Sequence, residues 1–255
     1  MNIVRYQVVA RTDIGIKRSI NQDSLLVKHA KYKKEEIVMA IVCDGMGGLA
    51  HGELASATII RHMSQWFNYS LSNKIKNLNL QEIFQEWKNE LIKVSEKIRQ
   101  YANVQNEKMG STFTGAIFYK DEYLYMHVGD SRLYEITNQV QQISEDQTFM
   151  VYQLKKGTMT IEELSKDRRR NMLMQSVGWS TNLNPYCEIK KVKKGNYLFC
   201  SDGFRHVLTN QELLRELNGS IFEEQKMDQQ IHILIEEVKR RKETDNISAI
   251  LVHVM

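Results

Sequence analysis

Three apolar runs in this chain end on an acid flanked by glycine. Ile37-Val38-Met39-Ala40-Ile41-Val42-Cys43 leads into Asp44-Gly45, Tyr197-Leu198-Phe199-Cys200 leads into Ser201-Asp202-Gly203, and Tyr123-Leu124-Tyr125-Met126-His127-Val128 stops at Gly129-Asp130. A further acid, Asp245, stands with Asn246 directly before the apolar run Ile247–Val252. Short apolar runs bounded by glycine predict buried strands, so each carboxylate is fixed at a strand mouth. Carboxylates held a few ångströms apart repel one another and need protons or cations between them. The donors here are oxygens, with no Cys/His cluster nearby in sequence, a set that suits Mg²⁺ or Mn²⁺ rather than Zn²⁺. Two such ions about 4 Å apart ionise a bridging water at neutral pH and support in-line displacement at phosphorus. No serine, cysteine or histidine nucleophile is then required.

Two neighbouring segments suit the same chemistry. Arg18-Ser19-Ile20-Asn21-Gln22-Asp23 sets a planar cation near a carboxylate. A guanidinium fork donates two parallel hydrogen bonds to a phosphate, although an Arg–Asp pair on a loop can equally be a structural tie. Asp44-Gly45-Met46-Gly47-Gly48 lets the backbone approach a ligand and frees its carbonyls as oxygen donors, with a plain tight turn as the alternative. Gly52-Glu53 then opens a helix with an acid at its positive end.

The elements that position these residues follow from periodicity. Strands are predicted at Tyr6–Arg11, Ser24–Lys28 and Glu36–Cys43, then a meander at Ser111–Tyr119, Glu122–Val128, Arg132–Thr137 and Val140–Ile143, with Lys120-Asp121 as a tight turn. Later strands fall at Cys187–Val192, Asn196–Cys200 and Asn246–Val254. Glu53–Tyr69 carries Leu54, Ala57, Ile60, Met63 and Phe67 at helical spacing, and Leu80–Tyr101 carries Ile83, Trp87, Leu91, Val94 and Ile98; both stripes are expected to face the core. Helices are also expected near Gln211–Leu217 and Met227–Arg241, and Thr148–Asn171 reads as a polar, weakly helical, mobile surface insertion. Blocks of strands separated by paired helices predict an α+β fold of antiparallel sheets packed face to face with helices outside.

The chain has 255 residues, 42% of them hydrophobic, and one proline, Pro185, which favours a single domain without linkers. The net charge is +4, and Arg168-Arg169-Arg170 and Lys239-Arg240-Arg241-Lys242 are flanked by acids, as on solvated helix faces. No nucleic-acid partner is expected, because the candidate site would present acids to a polyanion and the net charge is small. Cys43, Cys187 and Cys200 have no metal-type spacing, and Cys43 and Cys200 read as small buried apolar groups. Without a signal-type leader or an apolar run of membrane-spanning length, a soluble cytoplasmic protein is expected.

The motifs also resemble a known family. Arg18…Asn21-Gln22-Asp23, Asp44-Gly45-Met46-Gly47-Gly48…Gly52-Glu53-Leu54-Ala55-Ser56, Gly110-Ser111-Thr112, His127-Val128-Gly129-Asp130-Ser131-Arg132, Ser201-Asp202-Gly203 and Asp245-Asn246-Ile247 occur in the order of the metal-dependent type 2C serine/threonine protein phosphatases, most like the compact bacterial members. The resemblance runs from about Arg11 to Val252. It implies a four-layer αββα sandwich over residues 1–255 that hydrolyses phosphoserine and phosphothreonine in proteins and reverses a serine/threonine kinase. By position, Asp44 would bridge two Mn²⁺ or Mg²⁺ ions and Gly45 would offer its carbonyl. Asp202 and Asp245 would hold one ion, Asp23 would anchor the site, Arg18 would grip the phosphate, and Asp130 with Asp202 would bind a third, weaker ion. Residues 148–171 would be the flap. A monomer is expected, acting on phosphorylated proteins and on neither nucleic acid nor membrane.

Departures from the family pattern are local. Leu49 stands where many bacterial members have histidine after Gly-Gly, and Met46 where animal members have one. That leaves His51, or a metal-bound water, as proton donor to the leaving oxygen. Asp146-Gln147 replaces a frequent Asp-His and reads as structural variation; Gln22 is ordinary among bacterial members. A pseudo-enzyme would have lost metal-ligand aspartates, and none is lost; an enzyme for another phosphoester, such as a nucleotide, would need a base pocket that sequence does not reveal.

Overall fold

Ten strands account for the apolar runs among the described residues, which in this computed structural model are 4–46, 51–218 and 223–255. Gly47, Gly48 and Leu49 of the glycine-rich segment lie outside them. One sheet has the order β1 (Tyr6–Asp13), β10 (Ile247–Val254), β9 (Gly195–Cys200), β6 (Arg132–Ile136), β7 (Val140–Gln142). The other runs β2 (Asp23–Tyr32), β3 (Glu35–Asp44), β4 (Phe113–Tyr119), β5 (Glu122–Val128), β8 (Tyr186–Lys191). Every pairing is antiparallel.

The two sheets face each other through Val38, Ala40, Val42, Phe118 and Tyr123 on one side and Tyr197, Phe199, Ile250 and Val252 on the other. The Phe118 ring meets Tyr197 edge-on at 5.1 Å, the geometry that ring quadrupoles favour. On the outer faces, α1 (Gly52–Trp66) and α3 (Leu80–Gln105) cover the β2–β3–β4–β5–β8 sheet, linked by short turns and α2 (Ser72–Lys74). Helices α7 (Asn210–Leu217) and α8 (Glu224–Arg240) cover the other sheet. The result is the αββα sandwich. Because β3, β4 and β10 are covered on both faces, each reads as a continuous apolar run rather than an alternating one.

The α3 stripe Ile83, Trp87, Leu91, Val94, Ile98 is buried as its spacing requires. The α1 stripe is rotated from the expected one. Ala55, Ser56, Ile59, Met63 and Trp66 face the sheet, while Leu54 is 38% exposed and lines a groove with Thr58, Ile98 and Tyr101. The small residues Gly52, Ala55 and Ser56 are the cause, because they let the start of α1 press onto the beginning of β2, and the Ser56 hydroxyl donates to the carbonyl of Gln22, just before that strand, at 2.7 Å.

The polar insertion is more regular than weak helicity suggested. It holds α4 (Phe149–Lys156), started by Thr148, and α5 (Ile161–Lys166), started by a Thr160/Glu163 capping box. The basic clusters pair with acids, Arg169 with Asp167, Arg240 with Glu237 and Lys239 with Asp13. No helix among the described residues is long and apolar enough to cross a membrane.

Candidate metal centre

Five aspartates gather at one end of the sandwich because five strand termini meet there. Asp23 opens β2 and Asp44 closes β3, and the register sets them directly opposite each other. Asp130 lies between β5 and β6, Asp202 follows β9 as the first residue of α6 (Asp202–Arg205), and Asp245 precedes β10. Like charges opposed across a strand pair are destabilising, so this arrangement is not explained by folding alone.

Hydrogen bonds fix the frame around the acids. The Asp44 N–H donates to Thr112 Oγ1 at 2.9 Å, and the Asp44 carbonyl accepts from the Thr112 N–H at 2.9 Å and the Ser111 hydroxyl at 3.0 Å. The Ser201 hydroxyl donates to Asp23 Oδ2 at 2.9 Å, joining the two sheets at the site. Asn246 accepts from the Gln22 N–H at 2.9 Å and donates to the carbonyls of Ile14 and Ile20 at 3.0 and 3.1 Å. That side chain therefore holds the loop bearing Arg18, whose Nη2 lies 2.7 Å from Asp245 Oδ2. Gly45 is required by close approach, since a Cβ there would lie 2.3 Å from the Gly52 carbonyl oxygen.

The electrostatics are those of an under-neutralised acidic centre. Removal from water, and after it the fields of Asp23, Asp202, Asp130 and Asp245, push the Asp44 carboxyl well above the usual carboxylate range. Burial also raises Asp23 to about 7, against the lowering effect of the Ser248 and Ser201 hydroxyls. Asp130 is raised to about 7, first by burial and then by Asp202, against the pull of Arg205. Asp23 Oδ1 and Asp202 Oδ1 are buried without a hydrogen-bond partner among the described residues. Orphaned anionic oxygens in a dry site are costly unless a cation meets them, and an all-oxygen set suits Mg²⁺ or Mn²⁺. The residues therefore fit the metal. As the side chains stand, with Asp245 on Arg18 and Asp23 on Ser201, no three of the described His, Cys, Asp and Glu side chains close round one point.

Asp23, Asp44, Gly45, Asp130, Asp202, Asp245 and Arg18 are thus brought to one region. His51 stands in the left-handed region at φ 61 before α1, with its ring nitrogens 3.3 Å from Glu53 and 3.4 Å from Glu107. Sequence reasoning missed the network beside Asp130. Arg132 grips Asp146 through Nε and Nη2 at 2.7 and 2.6 Å. Gln147 clasps the turn before Asp130: its Oε1 accepts from the Gly129 N–H at 2.9 Å and its own N–H donates to the Gly129 carbonyl at 2.8 Å. The signal was present in the odd Asp146-Gln147 pair, but its partners are 14 to 18 residues away.

The αββα sandwich thus carries this acidic centre at one end. A sequence model of the family described as protein phosphatase 2C matches residues 16–236. A serine/threonine phosphatase, stp, of Listeria welshimeri is 27% identical over 246 residues, covering 95% of this chain and 93% of that protein. The serine/threonine phosphatase Stp1 of Staphylococcus aureus superposes with a TM-score of 0.84 at 25% identity, over 98% of this chain and 96% of that one. The catalytic domain of the phosphatase PstP, solved with two manganese ions, superposes with a TM-score of 0.78 at 25% identity over 99% of each chain. The chain belongs to the protein phosphatase 2C family.

Proposed function

We propose that this protein removes phosphate from phosphoserine and phosphothreonine in proteins, opposing a cognate serine/threonine kinase. The observation that carries the reading is the convergence of Asp23, Asp44, Asp202 and Asp245 on one strand-end site, with orphaned oxygens on Asp23 and Asp202 and one guanidinium, Arg18, reaching Asp245. Asp44, Asp202 and Asp245, with the Gly45 carbonyl, would hold two Mn²⁺ or Mg²⁺ ions, and Asp23 would anchor the set. Asp130 with Asp202 would take a third, weaker ion. Bound there, such ions supply an ionised water and charge stabilisation for displacement at phosphorus.

The protein's own groups do the rest. Strand termini fix the backbone that carries the acids, the Thr112 and Ser111 hydroxyls hold the Asp44 main chain, and the Ser201 hydroxyl holds the Asp23 carboxyl. Arg18 would orient the phosphate, and ion binding would draw Asp245 away from it. His51 would give the proton to the leaving oxygen, with water as the alternative source. Residues 148–171 would act as the flap beside the site. On the same reading the chain is one catalytic domain over 1–255, a cytoplasmic monomer that engages phosphoproteins and neither nucleic acid nor membrane.

With Mn²⁺ the protein should release phosphate from a phosphothreonine peptide, and a chelator should stop it; turnover that persists in chelator would sink the reading. Arg18→Ala should raise KM about tenfold or more, the worth of a lost charge-assisted hydrogen bond, with a smaller change in kcat. Steady-state kinetics on the same peptide would show this, and a loss confined to kcat would contradict the clamp.

A further inference from the structure

Arg205 is the last residue of α6, one turn beyond Asp202, so both side chains leave the same side of that helix. Its guanidinium is nearly enclosed, with the side chain 13% exposed. Nη2 donates to the Asp130 carbonyl at 3.4 Å and lies 3.9 Å from Asp130 Oδ2 and 3.5 Å from Asp146 Oδ2. Asp146 is already engaged, by the two-point bond from Arg132 and by Gln142 Nε2 at 3.1 Å. Arg132 in turn gives Nη1 to the Tyr134 hydroxyl at 2.8 Å. Arg132 and Asp146 form the tight pair, and the second cation, Arg205, lies between the two acids, 3.5 Å from Asp146 Oδ2 and 3.9 Å from Asp130 Oδ2. The Arg205 Nε is buried with no hydrogen-bond partner among the described residues, so this group is not there to satisfy its own donors.

We propose that Arg205 is a tethered cation that competes with the third ion for Asp130 and thereby sets how weakly that ion binds. The proposal rests on the reading above that Asp130 and Asp202 can share such an ion. A divalent ion arriving at Asp130 meets a fixed positive charge within a few ångströms, in surroundings where charges are poorly screened. A guanidinium does not deprotonate in proteins, so the competition persists across the working pH range, unlike competition from a proton. Asp146, 3.5 Å away, gives the displaced guanidinium somewhere to go, so the exchange needs no unfolding of α6. Arg205 is in this sense a positioning residue, acting through Asp130 and not on the substrate.

The test is a direct count of bound Mn²⁺ on the full chain without substrate, by calorimetry and by electron paramagnetic resonance of free Mn²⁺. Arg205→Met and Arg205→Gln remove the charge; the glutamine keeps a donor for the Asp130 carbonyl and guards against a folding defect. Both should leave two ions bound as in wild type and tighten the third by about tenfold or more, about 1.4 kcal/mol per decade. Arg205→Lys, which keeps the charge, should stay near wild type, and Asp130→Asn added to Arg205→Gln should abolish the gain. Unchanged or weaker third-ion binding in Arg205→Gln, with two ions still held, overturns the role of Arg205 alone. Wild-type protein that takes up no Mn²⁺ overturns the metal-centre reading beneath it.

Discussion

Asp202→Ala is expected to lower turnover of a phosphothreonine peptide by about 10³-fold or more while the protein stays folded. Ions placed against developing charge contribute several kcal/mol to the transition state, and each 1.4 kcal/mol or so is a factor of ten. On the proposed reading Asp202 would serve both the core ions and the site at Asp130, so removing its carboxylate should forfeit most of that. The fold should tolerate the change, because Asp202 Oδ1 has no hydrogen-bond partner to lose among the described residues. Its charge also raises the carboxyls of Asp23, Asp44 and Asp130, so its loss relieves repulsion. The acid does sit at the first position of α6, but that helix is a single turn of four residues, so the dipole contribution lost with it is small. Circular dichroism and thermal unfolding in chelator would check the fold beside the kinetics. Near-normal rates would mean that Asp202 holds no ion.

The centre was legible because its acids close or open runs whose composition alone marks them as buried strands. Asp44 and Asp202 each follow an unbroken apolar stretch, and burial on both faces is what makes those stretches continuous. What could not be read was how the acids are tied together. The opposition of Asp23 to Asp44 is a matter of register, the Ser201–Asp23 bond spans 178 residues, and the Asn246–Ile14 bond spans 232. No local pattern encodes such pairings. The burial of Arg205 beside Asp130 was hidden for a related reason: α6 is four residues long, too short to show a period. The α1 stripe failed differently. Hydrophobicity favoured Leu54 as inward, but the tighter packing of Gly52, Ala55 and Ser56 decided the face.

Asp44→Asn should remove activity as Asp202→Ala does, yet make the metal-free protein more stable than wild type. Removal from water, with four neighbouring aspartates adding to it, raises the Asp44 carboxyl well above its ordinary range in the fold. In the unfolded chain an aspartate titrates near 3.9 or so. A carboxyl raised on folding supports the fold fully below the unfolded value, and that support is lost as pH rises through the folded value. Asp23 and Asp130, both raised to about 7, act in the same direction. In chelator, wild-type stability should therefore fall between about pH 4 and pH 8. Asparagine is neutral throughout, so the advantage of Asp44→Asn should be small at pH 5 and grow toward pH 8. At the higher pH it should amount to several degrees in Tm, at about 2–4 °C per kcal/mol for a chain of this size. Mn²⁺ should invert the order, stabilising wild type by mass action and the variant far less. Thermal unfolding of both proteins at the two pH values, with chelator and with Mn²⁺, gives the full comparison. A variant less stable than wild type in chelator at pH 8 would show that the Asp44 carboxylate is already compensated by the fold, and that the centre does not require a cation.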